Sequence, residues 1–182
     1  TKASQGRVNK TRLSRRTLLR TGAPTGGGLV LSLSLPAASA GAPFLPNAFV
    51  RIGADGRIVL TMPYVEMGQG TYTSIPMLIA EELEVGLDQV RLEHAPPDEK
   101  SYGNPLLAGV QATGGSTAIR ATWEPLRKAG AAARVLLIQA AARRWMVEPS
   151  SCRAEKGVVM HVATGRRLDF GALAADAGKI PG

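Results

Sequence analysis

Two glycine-rich segments divide the hydrophobic pattern of this chain, and each directly precedes a stretch with helical periodicity. The first is Glu66-Met67-Gly68-Gln69-Gly70-Thr71, and the second is Gln111-Ala112-Thr113-Gly114-Gly115-Ser116-Thr117. Glycine tolerates positive φ and lets a ligand approach the backbone, while the N-terminus of a helix attracts anions. Each segment fits a plain turn or helix cap as well as a binding loop, and the Gln69 carboxamide is a candidate hydrogen-bonding group for a polar ring. The presence of two such segments makes the binding interpretation about as strong as the structural one.

The segments around these glycines predict an α+β fold, with hairpins and short strands packed against two main helices. Period-2 and helical patterns predict, in chain order, a hairpin over 49–62 turning at 54–56, a helix over Thr71 to Leu83, a strand over 89–94, a helix from about Ser116 to Trp145, a hairpin over 152–162 and a short helix near 170–177 capped by Asp169. Pro125 is expected to kink or restart the long helix. Residues 95–112 are expected to form a long loop without regular structure.

Residues 1–40 have the features of a twin-arginine signal peptide. Ser14-Arg15-Arg16-Thr17-Leu18-Leu19-Arg20 carries the arginine pair, an apolar run follows from Leu29 to Leu35, and Ala38-Ser39-Ala40 has the small residues of a cleavage site. A basic disordered arm is the alternative, but such an arm has no need of the apolar run. The sequence therefore predicts a leader (1–40), a linker (41–47) and a domain over 48–182. It also predicts periplasmic location, with membrane association if the leader is not cleaved.

The charge of the chain is concentrated in that leader. The formal net charge is +8, but seven of the 22 basic residues precede residue 41, and no acidic residue precedes Asp55. The remaining 15 basic residues face 14 acidic ones, so the predicted domain has no basic excess that would indicate a nucleic-acid partner. Cys152 is the only cysteine, which excludes an internal disulfide. His94 and His161 have no histidine within helical spacing, which favours polar surface or strand positions over metal ligation.

The two glycine segments and the residues after them resemble a known enzyme family. The run from Val65 through Thr73 to Leu83, and the run from Thr113 to Arg120 leading into Trp123 to Arg134, are similar to the molybdopterin-binding large subunits of the xanthine dehydrogenase and aldehyde oxidase family. Within that family the pattern is nearest to the isoquinoline 1-oxidoreductase beta subunits, which also begin with a twin-arginine leader. The resemblance covers essentially the whole chain.

The resemblance implies a set of cofactor contacts. Gly68, Gln69 and Gly70 would contact the pterin near molybdenum, and Gly114, Gly115, Ser116 and Thr117 would bind the pterin or its pyrophosphate, in a molybdopterin cytosine dinucleotide. The implied chemistry is oxidation of an aldehyde or hydroxylation of an N-heterocycle, with electrons leaving through a [2Fe–2S] small subunit. The implied partners are that small subunit, the remainder of the large subunit and the twin-arginine export machinery.

The resemblance does not supply a catalytic base or a metal ligand within this chain. In the family the base is a glutamate near the C-terminus of a much longer chain, and Glu66, Glu81, Glu82 and Glu124 do not lie in that motif. Glu81 and Glu82 are adjacent on a helix, which favours a solvated edge over an acid–base pair. We therefore expect an N-terminal portion of a large subunit that is inactive alone. Two alternatives remain open: an exported, non-enzymatic pterin-binding or assembly module, and a secreted α+β domain whose glycines only make turns.

Overall fold

The structure, a computed structural model, describes residues 29–32 and 48–180 and confirms the predicted α+β class. Its strands and helices are, in chain order, β1 (Leu29–Ser32), β2 (Ala48–Ile52), β3 (Ile58–Met62), α1 (Thr71–Leu83), β4 (Val90–His94), α2 (Glu99–Tyr102), α3 (Ala118–Trp145), β5 (Cys152–Glu155), β6 (Val158–His161), β7 (Arg167–Asp169) and α4 (Phe170–Ala177). Short 3₁₀ turns lie at Leu87–Gln89, Pro105–Leu107 and Pro149–Ser151.

The first sheet has the strand order β1-β2-β3-β4 and contains one parallel pair. Strands β2 and β3 form the predicted antiparallel hairpin, whereas β3 and β4 run parallel, with Ile58 opposite Val90 and Met62 opposite His94. Parallel neighbours need a crossover connection, and helix α1 supplies it. The sequence predicted the strands and the helix but not this pairing, which brings the carboxyl ends of β3 and β4 to the same edge of the sheet.

The core lies between this sheet and the two long helices. Side chains with no measurable exposure come from all three layers: Ile52, Ile58, Leu60, Ile75, Ile79, Leu83, Ala129, Ala133 and Leu137. Burying one such large aliphatic side chain stabilises a fold by about 1.5–3 kcal/mol, so this layer accounts for much of the stability. It also fixes where α1 and α3 begin, and therefore where the glycine segments lie.

Helices α1 and α3 cross closely at Gly130. A Cβ atom on Gly130 would lie 2.7 Å from Cβ of Glu82, so only glycine fits at this approach. Arg127 and Arg134 flank the crossing and hold Glu82 between them, and the Glu82 side chain is 17% exposed. Arg127 also contacts Glu81 at 3.0 Å. The expectation of a solvated edge was therefore wrong for Glu82, because two arginines on α3 cover its carboxylate.

Two local expectations also differ from the structure. Helix α3 runs from Ala118 to Trp145 as one element with Pro125 inside it, so the helix does not restart there, while the kink stays a prediction. The stretch 95–112 is not structureless, because Asp98 caps α2 by accepting hydrogen bonds from the N–H groups of Lys100 and Ser101, and Asn104 begins a 3₁₀ turn. Side-chain caps satisfy backbone donors that a loop would leave to solvent.

The second sheet, β5-β6-β7, carries α4, and the predicted hairpin and short helix are both present. Asp169 is the N-cap residue of α4, but its side chain makes no capping hydrogen bond, so that part of the prediction was wrong. Its first turn is made by Lys156 and Gly157, both with positive φ, as a tight hairpin requires. In the first sheet, β1 pairs antiparallel with β2. Strand β1 lies inside the predicted leader, and the rest of residues 1–40 falls outside the described residues. Among the described helices, none combines the length and the apolar character that a membrane crossing demands.

Candidate functional site

Both glycine segments lie beyond the carboxyl ends of the two parallel strands. The first segment follows β3 and opens α1, while the second is reached from β4 through the folded stretch 95–112 and opens α3. The carboxyl edge of parallel strands, where the chain turns into helices, is the usual ligand-binding edge of such sheets. We call residues 65–71 the first glycine loop and residues 113–117 the second glycine loop.

The first glycine loop is organised around the carboxylate of Glu66. Its Oε1 accepts hydrogen bonds from the backbone N–H groups of Gly68 (2.7 Å) and Gly70 (2.8 Å). Its Oε2 accepts from the N–H of Tyr72 (2.9 Å) and lies 3.3 Å from Oγ1 of Thr71. These donors, first among them the N–H of Tyr72 and then that of Gly70, lower the pKa of Glu66 to about 2. The loop amides expected to be available to an anion are thus already bound to a carboxylate.

The Gln69 side chain is also turned into the first glycine loop. Its Nε2 donates to the carbonyl of Val65 (2.8 Å) and lies 3.3 Å from Oγ1 of Thr71. Its Oε1 accepts from the N–H of Met67. Both amide hydrogens therefore have acceptors within the loop, and the remaining lone pair of Oε1 is the part of this carboxamide that can still receive a hydrogen bond.

The second glycine loop differs electrostatically from the first, because it presents backbone N–H groups rather than a carboxylate. The N–H groups of Gly115, Ser116 and Ala118 donate no hydrogen bond to any described residue. They lie at the N-terminus of a 28-residue helix, whose dipole favours a negative group at this end. Thr117, by contrast, points inward. Its hydroxyl donates to the carbonyl of Gly114 at 2.7 Å, and the whole residue is 5% exposed.

The buried Asn104 side chain anchors the second glycine loop. It has no exposed surface, and its Nδ2 donates to Oγ1 of Thr117 at 2.7 Å. Its Oδ1 accepts from the N–H of Leu106 at 3.0 Å. One buried carboxamide therefore ties the folded stretch after β4 to the start of α3. Sequence reasoning missed this residue, although an asparagine directly before Pro105 is typical of a turn start.

One hydrogen bond joins the two loops directly. The backbone N–H of Val65 donates to Oγ1 of Thr113 at 2.9 Å, across 48 residues of sequence. The two loops thus lie side by side, and the predicted residues Gly68, Gln69, Gly70, Gly114, Gly115, Ser116 and Thr117 fall in one region of the molecule. Neither Thr113 nor Glu66 was predicted as a site residue, and their proximity to the glycines was the signal available in sequence.

The glycine faces of both loops are open. A Cβ atom built on Gly68, Gly70 or Gly114 meets no atom within 4 Å, and one on Gly115 meets only Cγ2 of Thr117 at 3.7 Å. A bound group could therefore occupy the space that side chains would fill at these positions. The two loops differ in charge, because the first contains the Glu66 carboxylate and the second has N–H groups without a described acceptor at a helix N-terminus.

The two histidines contact neighbouring hydroxyl groups. His94 ends β4, where the Tyr72 hydroxyl lies 3.2 Å from its Nδ1, and His161 is buried in β6 with Nδ1 2.7 Å from Oγ1 of Thr164. Within residues 48–180, His, Cys, Asp and Glu side chains form no group of three that could hold a metal ion.

Comparison with known proteins identifies the family. The sequence matches the profile of the family described as "Molybdopterin cofactor-binding domain" over residues 9–181. This chain belongs to the molybdopterin cofactor-binding domain family. The predicted molybdopterin-binding class, within the xanthine dehydrogenase family of oxidoreductases, is thereby confirmed.

The curated relatives of this molybdopterin cofactor-binding domain are oxidoreductases. It is 44% identical over 130 residues, or 71% of the chain, to the beta subunit of isoquinoline 1-oxidoreductase from Brevundimonas diminuta. It is 33% identical over 69% of the chain to a nicotinate dehydrogenase subunit from Pseudomonas putida. The chain spans 17% and 10% of the lengths of these two proteins.

Solved structures show the same fold at low sequence identity. Quinoline 2-oxidoreductase from Pseudomonas putida 86 matches 73% of the chain with a TM-score of 0.54 and 19% identity, and the chain covers 17% of that protein. CO dehydrogenase from Oligotropha carboxidovorans matches 82% of the chain with a TM-score of 0.56 and 18% identity, and the chain covers 19% of it. At such identities these likenesses support the architecture alone.

Proposed function

We propose that this domain is the part of a molybdenum hydroxylase large subunit that holds the molybdopterin group with its two glycine loops. The observation that carries the proposal is the pairing of two open glycine faces at the carboxyl edge of β3 and β4, joined by the Val65–Thr113 hydrogen bond. Membership of the family supports the identity of the ligand. When bound, this group supplies two-electron oxidation of a carbon centre in a small organic substrate.

The charges of the two loops suggest how the ligand is oriented. The ionised Glu66 disfavours a phosphate at the first glycine loop, whereas the free N–H groups of Gly115 and Ser116 favour one at the second. We therefore assign the uncharged pterin ring to Gly68, Gln69 and Gly70. The phosphate end falls to Gly114, Gly115 and Ser116, with Thr117 holding the shape of that loop. A cytosine dinucleotide form would carry its pyrophosphate at this second position.

The reaction and partners of the complete protein are part of the same proposal. The names of the relatives favour oxidation of an N-heterocycle or an aldehyde, and two of those relatives are named as subunits. We propose a [2Fe–2S] small subunit as the electron acceptor and the remainder of a longer large subunit as the source of the catalytic base. In this domain, Glu66 is engaged by backbone donors and Glu124 by Lys128, so neither is assigned that role.

A single glycine substitution tests the cradle. Gly114→Ala adds a methyl group into open space at ordinary backbone angles, so the fold should tolerate it while the ligand should not. The complete protein would be purified from its native host, and molybdenum and pterin would be measured per chain. We expect a large loss of both with an unchanged circular dichroism spectrum, whereas the melting temperature falls only because the stabilising ligand is lost.

Gly165→Ala is the matched control for that experiment. Gly165 has a φ of +68 and lies in the distant β6–β7 turn, so alanine there should cost about 1–2 kcal/mol of stability and leave the ligand in place. Normal molybdenum and pterin content in Gly114→Ala would contradict the cradle. A wild-type protein without pterin would contradict the function and leave a non-enzymatic module as the better interpretation.

We further propose that residues 1–40 direct export by the twin-arginine route, which places the protein in the periplasm. Strand β1 lies within this leader, so cleavage after Ala40 would remove β1 and leave β2 as an edge strand. Replacing Arg15 and Arg16 by lysine should retain the protein in the cytoplasm, as measured by fractionation. Normal periplasmic recovery of that variant would contradict the proposal.

A further inference from the structure

We infer that Glu66 is a positioning residue for the first glycine loop, whose carboxylate sets the surface that Gly68, Gln69 and Gly70 offer to a ring. The inference rests on the proposed function of those three residues. A glycine turn before a helix does not in itself require an acid two residues ahead of it. The role of Glu66 must therefore come from the contacts that its two oxygens make.

The two carboxylate oxygens divide the loop between them. Oε1 holds the N–H groups of Gly68 and Gly70, which form the glycine face, whereas Oε2 holds the N–H of Tyr72 and lies beside the Thr71 hydroxyl in the first turn of α1. One side chain thus joins the loop to the helix that follows it. Only an ionised carboxylate offers acceptors on both oxygens, since a glutamine amide would place its NH₂ against one of these donors.

The N–H groups of Gly68 and Gly70 have no acceptor other than Glu66 among the described residues. Gly68 and Gly70 have φ values of 94° and 82°, and a Cβ on either would touch nothing within 4 Å. Glycines without packing neighbours have many accessible conformations in the absence of hydrogen bonds. Gly70 is also the N-cap of α1 and has no side chain to cap it. Glu66 supplies that cap from four residues earlier.

Glu66 also influences Gln69 through Thr71. The Thr71 hydroxyl lies within 3.3 Å of both the Glu66 carboxylate and the Gln69 carboxamide, and it is 3.2 Å from the Val65 carbonyl. The hydroxyl is thus shared between the two side chains. A change at position 66 should therefore alter the direction of the Gln69 amide as well as the backbone around it.

The test uses the complete protein with its natural partners, purified from its own host. Glu66→Gln keeps the size and removes the second acceptor, while Glu66→Asp keeps the charge and lacks the reach to span Gly70 and Tyr72. The control Glu124→Gln changes an exposed acid whose one ion pair is to Lys128. Molybdenum and pterin per chain are measured with hydrogen exchange of a peptide covering 65–74. We expect both Glu66 variants to hold about tenfold less of each, since hydrogen bonds to a charged group are strong.

The hydrogen exchange separates positioning from general stability. Faster exchange should be confined to 65–74, with β3 and the buried part of α1 unchanged. Exchange that rises throughout the domain would overturn the inference in favour of a role in folding. Wild-type cofactor content in Glu66→Gln would also overturn the inference. Wild-type content in Glu66→Asp alone would overturn it as well, because it would indicate that the negative charge suffices without the reach of glutamate. A wild-type protein without pterin would instead overturn the proposed function, and the inference with it.

Discussion

The backbone N–H of Val65 donates a 2.9 Å hydrogen bond to the hydroxyl of Thr113, and this contact joins two loops that are 48 residues apart. Each residue stands at the beginning of its glycine loop. The bond exists because β3 and β4 are parallel, so that the chain leaves both strands at the same edge of the sheet. This hydrogen bond therefore brings the two glycine motifs of the sequence together in one site.

Removing the Thr113 hydroxyl should loosen the two loops without disturbing the core. Thr113→Val keeps the shape of the side chain and leaves the Val65 N–H without its acceptor. We expect a loss of about 1 kcal/mol in the free energy of unfolding, together with faster exchange of the Val65 amide. Thr73→Val, at an exposed position on α1, is the control. Equal exchange of the Val65 amide in both variants would contradict the bridging role.

Asn104 should be the most sensitive polar residue near the second glycine loop. Asn104→Ala removes the buried hydrogen bond to Thr117 and the partly buried one from Leu106, and it leaves the Leu106 N–H and the Thr117 hydroxyl without this partner. The free energy of unfolding, measured by chemical denaturation, should fall by about 2–3 kcal/mol, because a polar group buried without a hydrogen-bond partner is destabilising. Ser150→Ala, at an exposed position, should cost almost nothing. If Asn104→Ala lost less stability than an ordinary surface change such as Ser150→Ala, the anchoring role would be refuted.

The crossing of α1 and α3 should not tolerate bulk at Gly130. Gly130→Val would place Cβ 2.7 Å from Cβ of Glu82 and 3.1 Å from the carbonyl oxygen of Ile79. The helices would have to separate, at a cost of about 1–3 kcal/mol or more. Ala132→Val, exposed on the same helix, should cost only about 0.5 kcal/mol through helix propensity. Similar melting temperatures for the two variants would show that the crossing is not tight.

The first glycine loop should be stable to acid down to unusually low pH. Hydrogen bonds from the Tyr72 and Gly70 amides lower the pKa of Glu66 from 4.5 to about 2. A depressed folded-state pKa contributes stability that is fully present above about pH 4.5 and is lost as the pH falls through about 2. The amide proton shifts of Gly70 and Tyr72 should therefore titrate near pH 2 in nuclear magnetic resonance spectra. A midpoint near 4.5 would show that the carboxylate does not hold these amides.

The sequence determined the local elements of this protein because their signals are local. Period-2 alternation marked the β2–β3 hairpin, helical spacing marked α1 with its observed bounds, and the turn residues Lys156 and Gly157 marked the β5–β6 hairpin. The glycine segments and the residues after them were also sufficient to indicate the molybdopterin-binding family, which the family profile confirms. Each of these features depends on residues that are close together in the chain.

The tertiary structure alone decided how those elements meet. Periodicity does not specify which strand pairs with β3, so the parallel pairing with β4, and with it the approach of Val65 to Thr113, was invisible in the pattern. The sequence likewise could not show that Glu66 occupies the loop amides, or that Arg127 and Arg134 cover Glu82, because each depends on where a side chain ends after the helices pack. Residue spacing fixed the candidate loops, whereas long-range packing and hydrogen bonding fixed the surface that they present.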